Sequence, residues 1–335
     1  MAEYKGIKGF KVQYLSADPS NPIIGQTWYN STSKDLKFTG FAAASWATGG
    51  NMGTARRALA GAGTQTAGLG VSGYSTYQSP IGSEEYDGST WTAGGNLGAA
   101  RYELSGTGTQ TAGLAWSGLP STSPPVGISF AGMTNTEEYD GTSWTAGGAL
   151  PAVNRSSAAT GVQTAALSAG GITGLTTLKS TSEEYDGSAW TGGGTLATAR
   201  RTAGGAGTQT AGLAFGGVTP PTVTGATEEY DGSTWTTGGT MNTARGGIAG
   251  NGLQTAALGF GGYFPGSGET GATEEYDGST WTTVNSLSTA RKGLGGSKAG
   301  STTSSLAFGG TTPPITNATE EWTGAGPATK TVTVS

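Results

Sequence analysis

The charged residues that could bind a ligand or take part in catalysis recur in a fixed pattern. Six times an arginine opens a block of sequence that ends in two glutamates and an aromatic residue. The arginines are Arg56, Arg101, Arg155, Arg200, Arg245 and Arg291, and the first glutamates are Glu84, Glu137, Glu183, Glu228, Glu274 and Glu320. Twelve of the 22 acidic residues lie in these pairs, so the pattern indicates either a sixfold ligand site or a repeated structural ion pair.

Composition excludes most other chemistry. The chain of 335 residues has no cysteine and no histidine, which removes disulfides, thiolate nucleophiles, thiolate or imidazole metal sites and a Ser-His-Asp triad. We therefore predict no catalytic residue, no metal and no cofactor. A net charge of −5 without a long basic cluster argues against nucleic acid as a partner. No apolar run reaches the roughly 18 residues of a membrane span, and the N-terminus lacks a signal-peptide pattern.

The repeat also predicts the elements that position these residues. The arginines are spaced by 45, 54, 45, 45 and 46 residues, a period typical of a propeller blade. Each block reads as four short strands. The first is rich in Gly and Ala, the second closes on Gly-Gly, the third carries Glu-Glu-Tyr before an Asp-Gly turn, and the fourth opens with Trp. This order resembles the kelch repeat over about residues 45–324, which implies a β-propeller with four antiparallel strands per blade.

The chain ends predict the number of blades. The sixth block lacks a fourth strand, whereas an unmatched strand around Ser45 and Trp46 precedes the first block. We expect that strand to complete the sixth blade and so remove an open sheet edge. The predicted fold is all-β, a six-bladed kelch-like propeller over residues 45–326. Residues 1–44 form a small non-repeating docking segment, and residues 327–335 form a β-like tail.

Strand geometry favours a structural role for the repeated charges. Adjacent residues of a strand point to opposite faces, so one glutamate of each pair is predicted to lie between blades against an arginine, while the other faces solvent. A partly buried pair of this kind is stronger than the ~0–1 kcal/mol of an exposed pair. Identical residues in every blade are better explained by blade packing than by one asymmetric site. The tryptophans of the fourth strands are likewise predicted to pack between blades.

Length variation indicates where a ligand would bind. The connection between the second and third strands varies most and is longest at residues 118–136. Loops on a rigid scaffold are common recognition sites, although drift in exposed loops is the alternative explanation. The candidate ligand or receptor residues are aromatic: Tyr74, Tyr77, Trp116, Phe130, Tyr263 and Phe264.

The N-terminal segment carries a second resemblance. Residues 25–32, Gly-Gln-Thr-Trp-Tyr-Asn-Ser-Thr, are followed by Leu36-Lys37 and Ser45-Trp46. This motif resembles one found in fibre and virion proteins of tailed bacteriophages. The resemblance implies localisation in the virion, docking on other virion proteins through residues 1–44 with Trp28 and Tyr29, and, less directly, binding of a host-surface glycan or protein. A homo-oligomer is compatible with this organisation, and a cap over one mouth of the propeller is the alternative for the segment.

Two other functions are compatible with a propeller. One is a carbohydrate-active or sialidase-like enzyme, which needs a convergent arginine cluster and a tyrosine–glutamate pair at the centre of the ring. Here the arginines and tyrosines are distributed one per blade, so we predict that the chain is not an enzyme. Copper radical oxidases with kelch-like propellers use His and Cys ligands that are missing here. The other alternative is a cellular kelch-type scaffold for protein interactions.

Overall fold

The computed structural model describes residues 12–76, 79–120 and 132–332. These residues form strands and turns with no helix among them, so the predicted all-β class is confirmed. In this described part there is consequently no helix that could span a membrane. The chain divides into two compact units. Trp46–Thr323 form one, the repeat unit, while Met1–Ser45 together with Gly324–Ser335 form the other, the terminal unit.

Six four-stranded antiparallel sheets follow the sequence repeat. Their strands, in order within each sheet, have these bounds. Sheet 1 has Ala60–Gly63, Gly68–Val71, Gly82–Tyr86 and Trp91–Asn96, and sheet 2 has Ser105–Gly108, Gly113–Trp116, Thr136–Tyr139 and Trp144–Ala146. Sheet 3 has Ala158–Val162, Ala165–Ala169, Thr181–Tyr185 and Trp190–Thr195, and sheet 4 has Gly204–Gly207, Gly212–Phe215, Thr227–Tyr230 and Trp235–Thr237. Sheet 5 has Ala249–Leu253, Ala256–Phe260, Thr273–Tyr276 and Trp281–Val284.

Sheet 6 combines both parts of the chain. Its strands are Gly295–Gly296, Ser304–Phe308, Thr319–Thr323 and, as the fourth, Ser45–Thr48. The predicted pairing of the N-terminal strand with the last block is therefore confirmed. Four short two-stranded sheets lie outside the six sheets: Arg101–Tyr102 with Leu119–Pro120, Ile172–Thr173 with Thr177–Leu178, Val218–Thr219 with Thr222–Val223, and Tyr263–Phe264 with Gly268–Glu269.

The turn between the third and fourth strands is fixed by its Asp-Gly pair, as predicted. In sheet 1 the Asp87 carboxylate accepts hydrogen bonds from the backbone N–H groups of Ser89 (2.8 Å) and Thr90 (2.7 Å). Gly88 has φ of 94°, a conformation that is costly for a residue with a side chain. The donated hydrogen bonds hold the pKa of Asp87 below its ordinary value. The local sequence therefore sets the geometry of this hairpin without help from other repeats.

A closed cycle of six backbone hydrogen bonds connects the repeats. One residue of each repeat, just before its first strand, donates its N–H to the carbonyl oxygen of the equivalent residue in the preceding repeat, at 2.7 to 3.2 Å. We call this set the hydrogen-bonded ring, and it closes because Ala58 donates to Gly293. All its members have positive φ, between 52° and 67°. They are Ala58, Glu103, Ser156, Thr202, Gly247 and Gly293.

The first strands of successive sheets approach one another closely. A Cβ atom added to Gly61 of sheet 1 would lie 2.3 Å from the carbonyl oxygen of Gly296 in sheet 6. The same holds between sheets 4 and 3, where a Cβ on Gly205 would lie 2.6 Å from the carbonyl oxygen of Ala159. Backbones can be this close only where side chains are absent or very small, which explains the Gly and Ala of these strands.

The core lies between neighbouring sheets and consists of leucines and aromatic residues. Phe215 of sheet 4 packs against Trp281 of sheet 5 with ring centres 4.8 Å apart. In every repeat the tryptophan that opens the fourth strand donates its indole N–H to a hydroxyl of the third strand in the preceding sheet. Trp281, for example, donates to Thr227 at 2.9 Å. The cycle is complete because Trp91 of sheet 1 donates to Thr319 of sheet 6. The predicted packing of these tryptophans between repeats is confirmed.

The terminal unit is a small sheet built from both chain ends. Its strands, in spatial order, are Gln13–Leu15, Thr27–Asn30, Asp35–Ala42 and Gly326–Thr331. The first pair is parallel and the other two are antiparallel. The C-terminal residues, treated as a separate tail in the sequence analysis, thus belong with the N-terminal segment. An Asp18 carboxylate accepts hydrogen bonds from the Trp28 indole, the Asn30 amide and the Lys37 ammonium group.

Candidate functional site

Most of the repeated arginines are buried beside the first glutamate of their own repeat. Five ion pairs have this form: Arg56–Glu84, Arg101–Glu137, Arg200–Glu228, Arg245–Glu274 and Arg291–Glu320. Both side chains of the Arg245–Glu274 pair are fully buried. Burial lowers the pKa of Arg245, and the Glu274 carboxylate opposes that change. These five arginines therefore do not converge on a centre, because each forms its ion pair within its own repeat.

The same arginines also connect neighbouring repeats, but through their backbone. The carbonyl oxygen of Arg101 accepts a hydrogen bond from Gly73 N in the preceding repeat at 3.0 Å, and that of Arg245 accepts one from Gly217 N at 2.9 Å. The ion pair was predicted to lie between repeats. The structure instead places it within a repeat, and the arginine carbonyl makes the link to the neighbour.

Arg155 does not pair with a glutamate of its own repeat, and its unusual distance from the preceding tryptophan in the sequence indicates this difference. It follows its preceding Trp by eleven residues, against ten for the other block-start arginines, and its side chain pairs with Glu103 of the previous repeat. Asn154 occupies the usual arginine position, since its carbonyl accepts from Gly118 N at 3.2 Å and its amide donates to Gly170 O at 2.9 Å. Glu183, left without an arginine, pairs with Lys179 at 2.9 Å. Arg155 and Glu183 therefore do not pair with each other, and the ion pair of Arg155 links two repeats.

The second glutamate of each pair was predicted to face solvent. The structure instead engages most of these carboxylates in hydrogen bonds between repeats. Each of five accepts a hydrogen bond from the hydroxyl group of the tyrosine that follows the glutamate pair of the next repeat. Tyr276 donates to Glu229 at 2.5 Å, and Tyr86 donates to Glu321 at 2.5 Å. Burial of the phenol, and to a smaller extent its hydrogen bond to the Glu229 carboxylate, raises the pKa of Tyr276 to about 12. The sixth link is missing because Trp322 stands where the other repeats have tyrosine, so Glu275 has no such donor in the described chain. Burial raises the pKa of Glu275.

The glutamines of the first hairpin form a third link between repeats. Gln110 donates through Nε2 to the carbonyl oxygens of Gly68 (3.1 Å) and Tyr86 (2.8 Å), both in the preceding sheet. Gln163, Gln209 and Gln254 repeat this pattern. Glutamine recurs at one position of this turn, and that recurrence was the signal in the sequence for a contact with a neighbouring repeat.

The predicted aromatic ligand residues lie in different environments. Trp116 is fully buried against Trp190 and is therefore unavailable to a ligand, because it belongs to the second strand of sheet 2 and not to a loop. Tyr74, Tyr263 and Phe264 are half-buried in the connections where they were expected. Tyr77 and Phe130 lie outside the described residues.

The two predicted docking residues of the terminal unit also differ. Trp28 is fully buried, with its indole N–H donated to Asp18 at 2.9 Å, so it holds the sheet together and presents no surface. Tyr29 is half-buried and stacks on the exposed Tyr14, with ring centres 5.1 Å apart. Only Tyr29 therefore has the exposure that docking requires.

A cavity of about 370 Å³ opens inside the hydrogen-bonded ring. All six members of that ring or their neighbours contribute to its wall, so every repeat takes part. We call it the ring cavity. Its charged lining residues are Arg57, Arg201, Lys292, Lys298 and Glu103. Tyr263, one of the predicted ligand residues, lines it as well, and the Lys292 ammonium group lies 4.8 Å from the centre of its ring.

Three of these cations have no carboxylate partner among the described residues. Glu103 is paired with Arg155, and Lys292 with Glu269 at 3.0 Å. Arg57 lies 5.1 Å from the centre of the Tyr74 ring and forms no ion pair. Arg201 also forms none, and its buried Nε atom has no hydrogen-bond partner. The third is Lys298, whose ammonium group donates only to the carbonyl oxygens of Gly205 (3.2 Å) and Gly250 (3.0 Å).

Lys298 reaches the cavity from an exceptional hairpin. In the other repeats the corresponding position after the first strand holds a glycine with positive φ, such as Gly63 or Gly252. Protein atoms surround the Lys298 side chain, which keeps only partial contact with solvent, and this burial lowers its pKa to about 8. The ammonium form still predominates at neutral pH. The cavity therefore contains uncompensated positive charge.

The sequence analysis missed all three unpaired cations. Arg57 and Arg201 are the only arginines outside the six block starts, each directly after one of them, and Lys298 interrupts the first hairpin of the sixth repeat. These three residues differ from the residues at the same positions of most other repeats, and that difference was the signal in the sequence that could have identified them. Among the described residues no group of three or more acidic side chains is placed to hold a metal ion. No protein-family model and no curated protein matches the chain.

Proposed function

We propose that this chain is a structural protein of a bacteriophage virion, in which the six sheets are the blades of a six-bladed kelch-like propeller. Two cyclic sets of contacts support this architecture. The hydrogen-bonded ring returns from Gly293 to Ala58, and the tryptophan–hydroxyl contacts return from Trp91 to Thr319. An open row of sheets would leave one donor and one acceptor of each set unused at its ends.

The observation that carries the virion assignment is the composition of the terminal unit. It joins both chain ends in one small sheet, and most of the exposed large apolar side chains of the described chain belong to it, among them Tyr14, Ile23, Ile24 and Phe41. Apolar side chains concentrated on a small unit favour burial against another protein. Together with the fibre-like motif around Trp28, this supports docking of the terminal unit on a neighbouring virion protein.

The repeat unit would then be displayed on the particle. The connections between second and third strands, which include Tyr74, Tyr263 and Phe264, are its most variable surface. Host-surface recognition or stabilisation of the particle is the function we assign to it. Loops held by a rigid scaffold suit recognition because binding costs them little conformational entropy. In this arrangement the terminal unit attaches the protein and the repeat unit carries the recognition surface.

Mass spectrometry of purified particles from a culture that produces this protein tests the proposal directly. We expect the protein in intact virions at a fixed copy number, and its absence from them would contradict the assignment. A competition experiment tests the docking surface: Ile23→Ser should reduce incorporation into particles relative to the wild-type chain. Leu175→Ser is the matched control, because Leu175 of the repeat unit is 67% exposed and Ile23 is 72% exposed. Equal incorporation of both variants would refute docking through the terminal unit.

A further inference from the structure

We propose that the ring cavity is a binding site for a small oxyanion: the carboxylate, sulfate or phosphate group of a ligand no larger than about a disaccharide. The proposal rests on the cavity and does not depend on attachment to a virion. Cavities of about 300–1,000 Å³ are typical of small-molecule sites, and this one measures about 370 Å³. Every residue of its wall lies within the described ranges of the chain.

The charge of the wall determines the class of ligand. Arg57, Arg201 and Lys298 come from three different repeats, yet they line one cavity and none has a carboxylate partner in the described chain. Arg57 is exposed, whereas Arg201 and Lys298 are half-buried, and a half-buried cation without a carboxylate loses part of its hydration. An anion in the cavity would offset that loss for Arg201 and Lys298, and Arg57 adds a further positive charge to the wall. Guanidinium and ammonium groups bind oxyanions through charge-assisted hydrogen bonds.

The arrangement of donors favours an oxyanion over a simple halide. The buried Nε of Arg201 has no acceptor, and the ammonium group of Lys298 uses carbonyl oxygens that are weaker acceptors than a carboxylate or sulfate. Ser105, Ser157 and Thr202 also line the wall, but the Ser105 hydroxyl already donates to the Ser157 carbonyl oxygen and the Thr202 hydroxyl to that of Arg201. The guanidinium and ammonium donors therefore define the site, and several donors around one space match the several lone pairs of an oxyanion.

Lys298 gives the site a specific pH dependence. With a pKa near 8, its ammonium group loses its proton between pH 7 and 9, whereas Arg57 and Arg201 stay charged. The other charged groups facing the cavity, Lys292 and Glu103, are held in ion pairs. We therefore expect anion affinity to fall at least fivefold from pH 7 to pH 9.5.

Isothermal titration calorimetry on the full chain tests the site, with sodium sulfate, sodium acetate and sodium glucuronate as probes. Sodium chloride at equal ionic strength and glucose are the negative controls. We expect saturable one-site binding of at least one oxyanion probe and none of the controls. Tighter binding of glucuronate than of acetate would assign the anion to a sugar carrier, while equal binding would assign a free anion; both support the site. Absence of saturable binding by all three probes would overturn it.

Variants separate this site from general charge effects. Arg201→Gln should weaken binding at least tenfold, and Lys298→Met should weaken it and abolish its dependence on pH. Lys330→Gln is the matched control, because it removes one positive charge from the exposed last strand of the terminal unit. Its affinity should stay within twofold of wild type. Should Arg201→Gln fail to fold, Lys298→Met decides: unchanged affinity and an unchanged pH profile in that variant would refute the proposal.

Discussion

Replacing Glu274 by alanine should lower the free energy of unfolding by about 3–5 kcal/mol, the cost of leaving one member of a buried ion pair alone. Both side chains of the Arg245–Glu274 pair are 0% exposed, so water cannot solvate the arginine that remains. The carboxylate also accepts a hydrogen bond from Asn242 N at 2.7 Å, and this backbone donor would lose its acceptor too. The other four acceptors of Arg245 are neutral carbonyl oxygens, which do not balance its charge.

The chain contains a matched comparison. Glu103→Ala also removes the carboxylate of an arginine pair, but the Glu103 side chain is 28% exposed. Water and salt reach the Glu103 side of the pair, although the Arg155 side chain that would remain is only 6% exposed. The expected loss is therefore about 2 kcal/mol, between that of an exposed pair and that of a fully buried one. Because Glu103 and alanine are both L-residues with a Cβ, the positive φ of 56° is equally strained in both chains and does not bias the comparison.

Urea unfolding followed by tryptophan fluorescence measures both variants, with the slope m compared to wild type to check that the unfolded states match. A double variant, Arg245→Met with Glu274→Leu, completes the test, since an apolar pair of similar volume should restore most of the loss. Equal losses for Glu274→Ala and Glu103→Ala, or a loss below about 1.5 kcal/mol for Glu274→Ala, would refute the argument from burial.

Three further predictions concern the ring, the links between repeats and the terminal unit. Ala58→Gly should stabilise the protein by about 0.5–1 kcal/mol in urea unfolding, because Ala58 has φ of 52° and glycine adopts that conformation without strain. Tyr276→Phe should cost about 1–2 kcal/mol at pH 7, since its hydroxyl donates to Glu229. In wild type, where the folded pKa of about 12 exceeds the unfolded value of 10.0, the stability from Tyr276 should decline between pH 10 and 12. In the terminal unit the hydrogen bond from Lys37, followed by those from Asn30 and Trp28, lowers the pKa of Asp18 to about 2, and the charge of Lys37 adds to the effect. The Trp28 indole N–H signal in NMR should therefore hold its position as the pH falls from 7 to 4 and shift only near pH 2.

Each of these predictions has a distinct negative outcome. A loss of stability in Ala58→Gly would mean that the alanine methyl group packs usefully in the ring cavity; Gly293→Ala, the reverse change in the ring, should lose about 1 kcal/mol. Identical alkaline unfolding of wild type and Tyr276→Phe would remove the proposed tyrosine–carboxylate link. A Trp28 signal that moves at about pH 4 would show that Asp18 titrates like an exposed carboxyl group.

The sequence predicted the local parts of this fold well. The Asp-Gly turn, the strand carrying Glu-Glu-Tyr and the missing fourth strand of the last repeat are all visible as short-range patterns, and their geometry depends on neighbouring residues. Asp87, for instance, binds N–H groups only two and three residues away. The sequence also shows that Arg155 follows Trp144 by eleven residues and not by ten. It does not show that Asn154 takes the position of the arginine, which becomes clear only from the hydrogen bond between the Asn154 amide and the Gly170 carbonyl oxygen.

Which residues of different repeats meet was decided by the tertiary structure. The sequence by itself determined six similar units and their strands, since side-chain alternation and turn chemistry act over a few residues. It did not determine that Glu229 would bind the next repeat's tyrosine, nor that Arg57, Arg201 and Lys298 would line one cavity. Those contacts join residues tens to hundreds of positions apart, and they depend on the approach of whole sheets. The backbone hydrogen bonds of the ring, which every residue type except proline can make, connect the segments around this cavity without requiring a particular side chain.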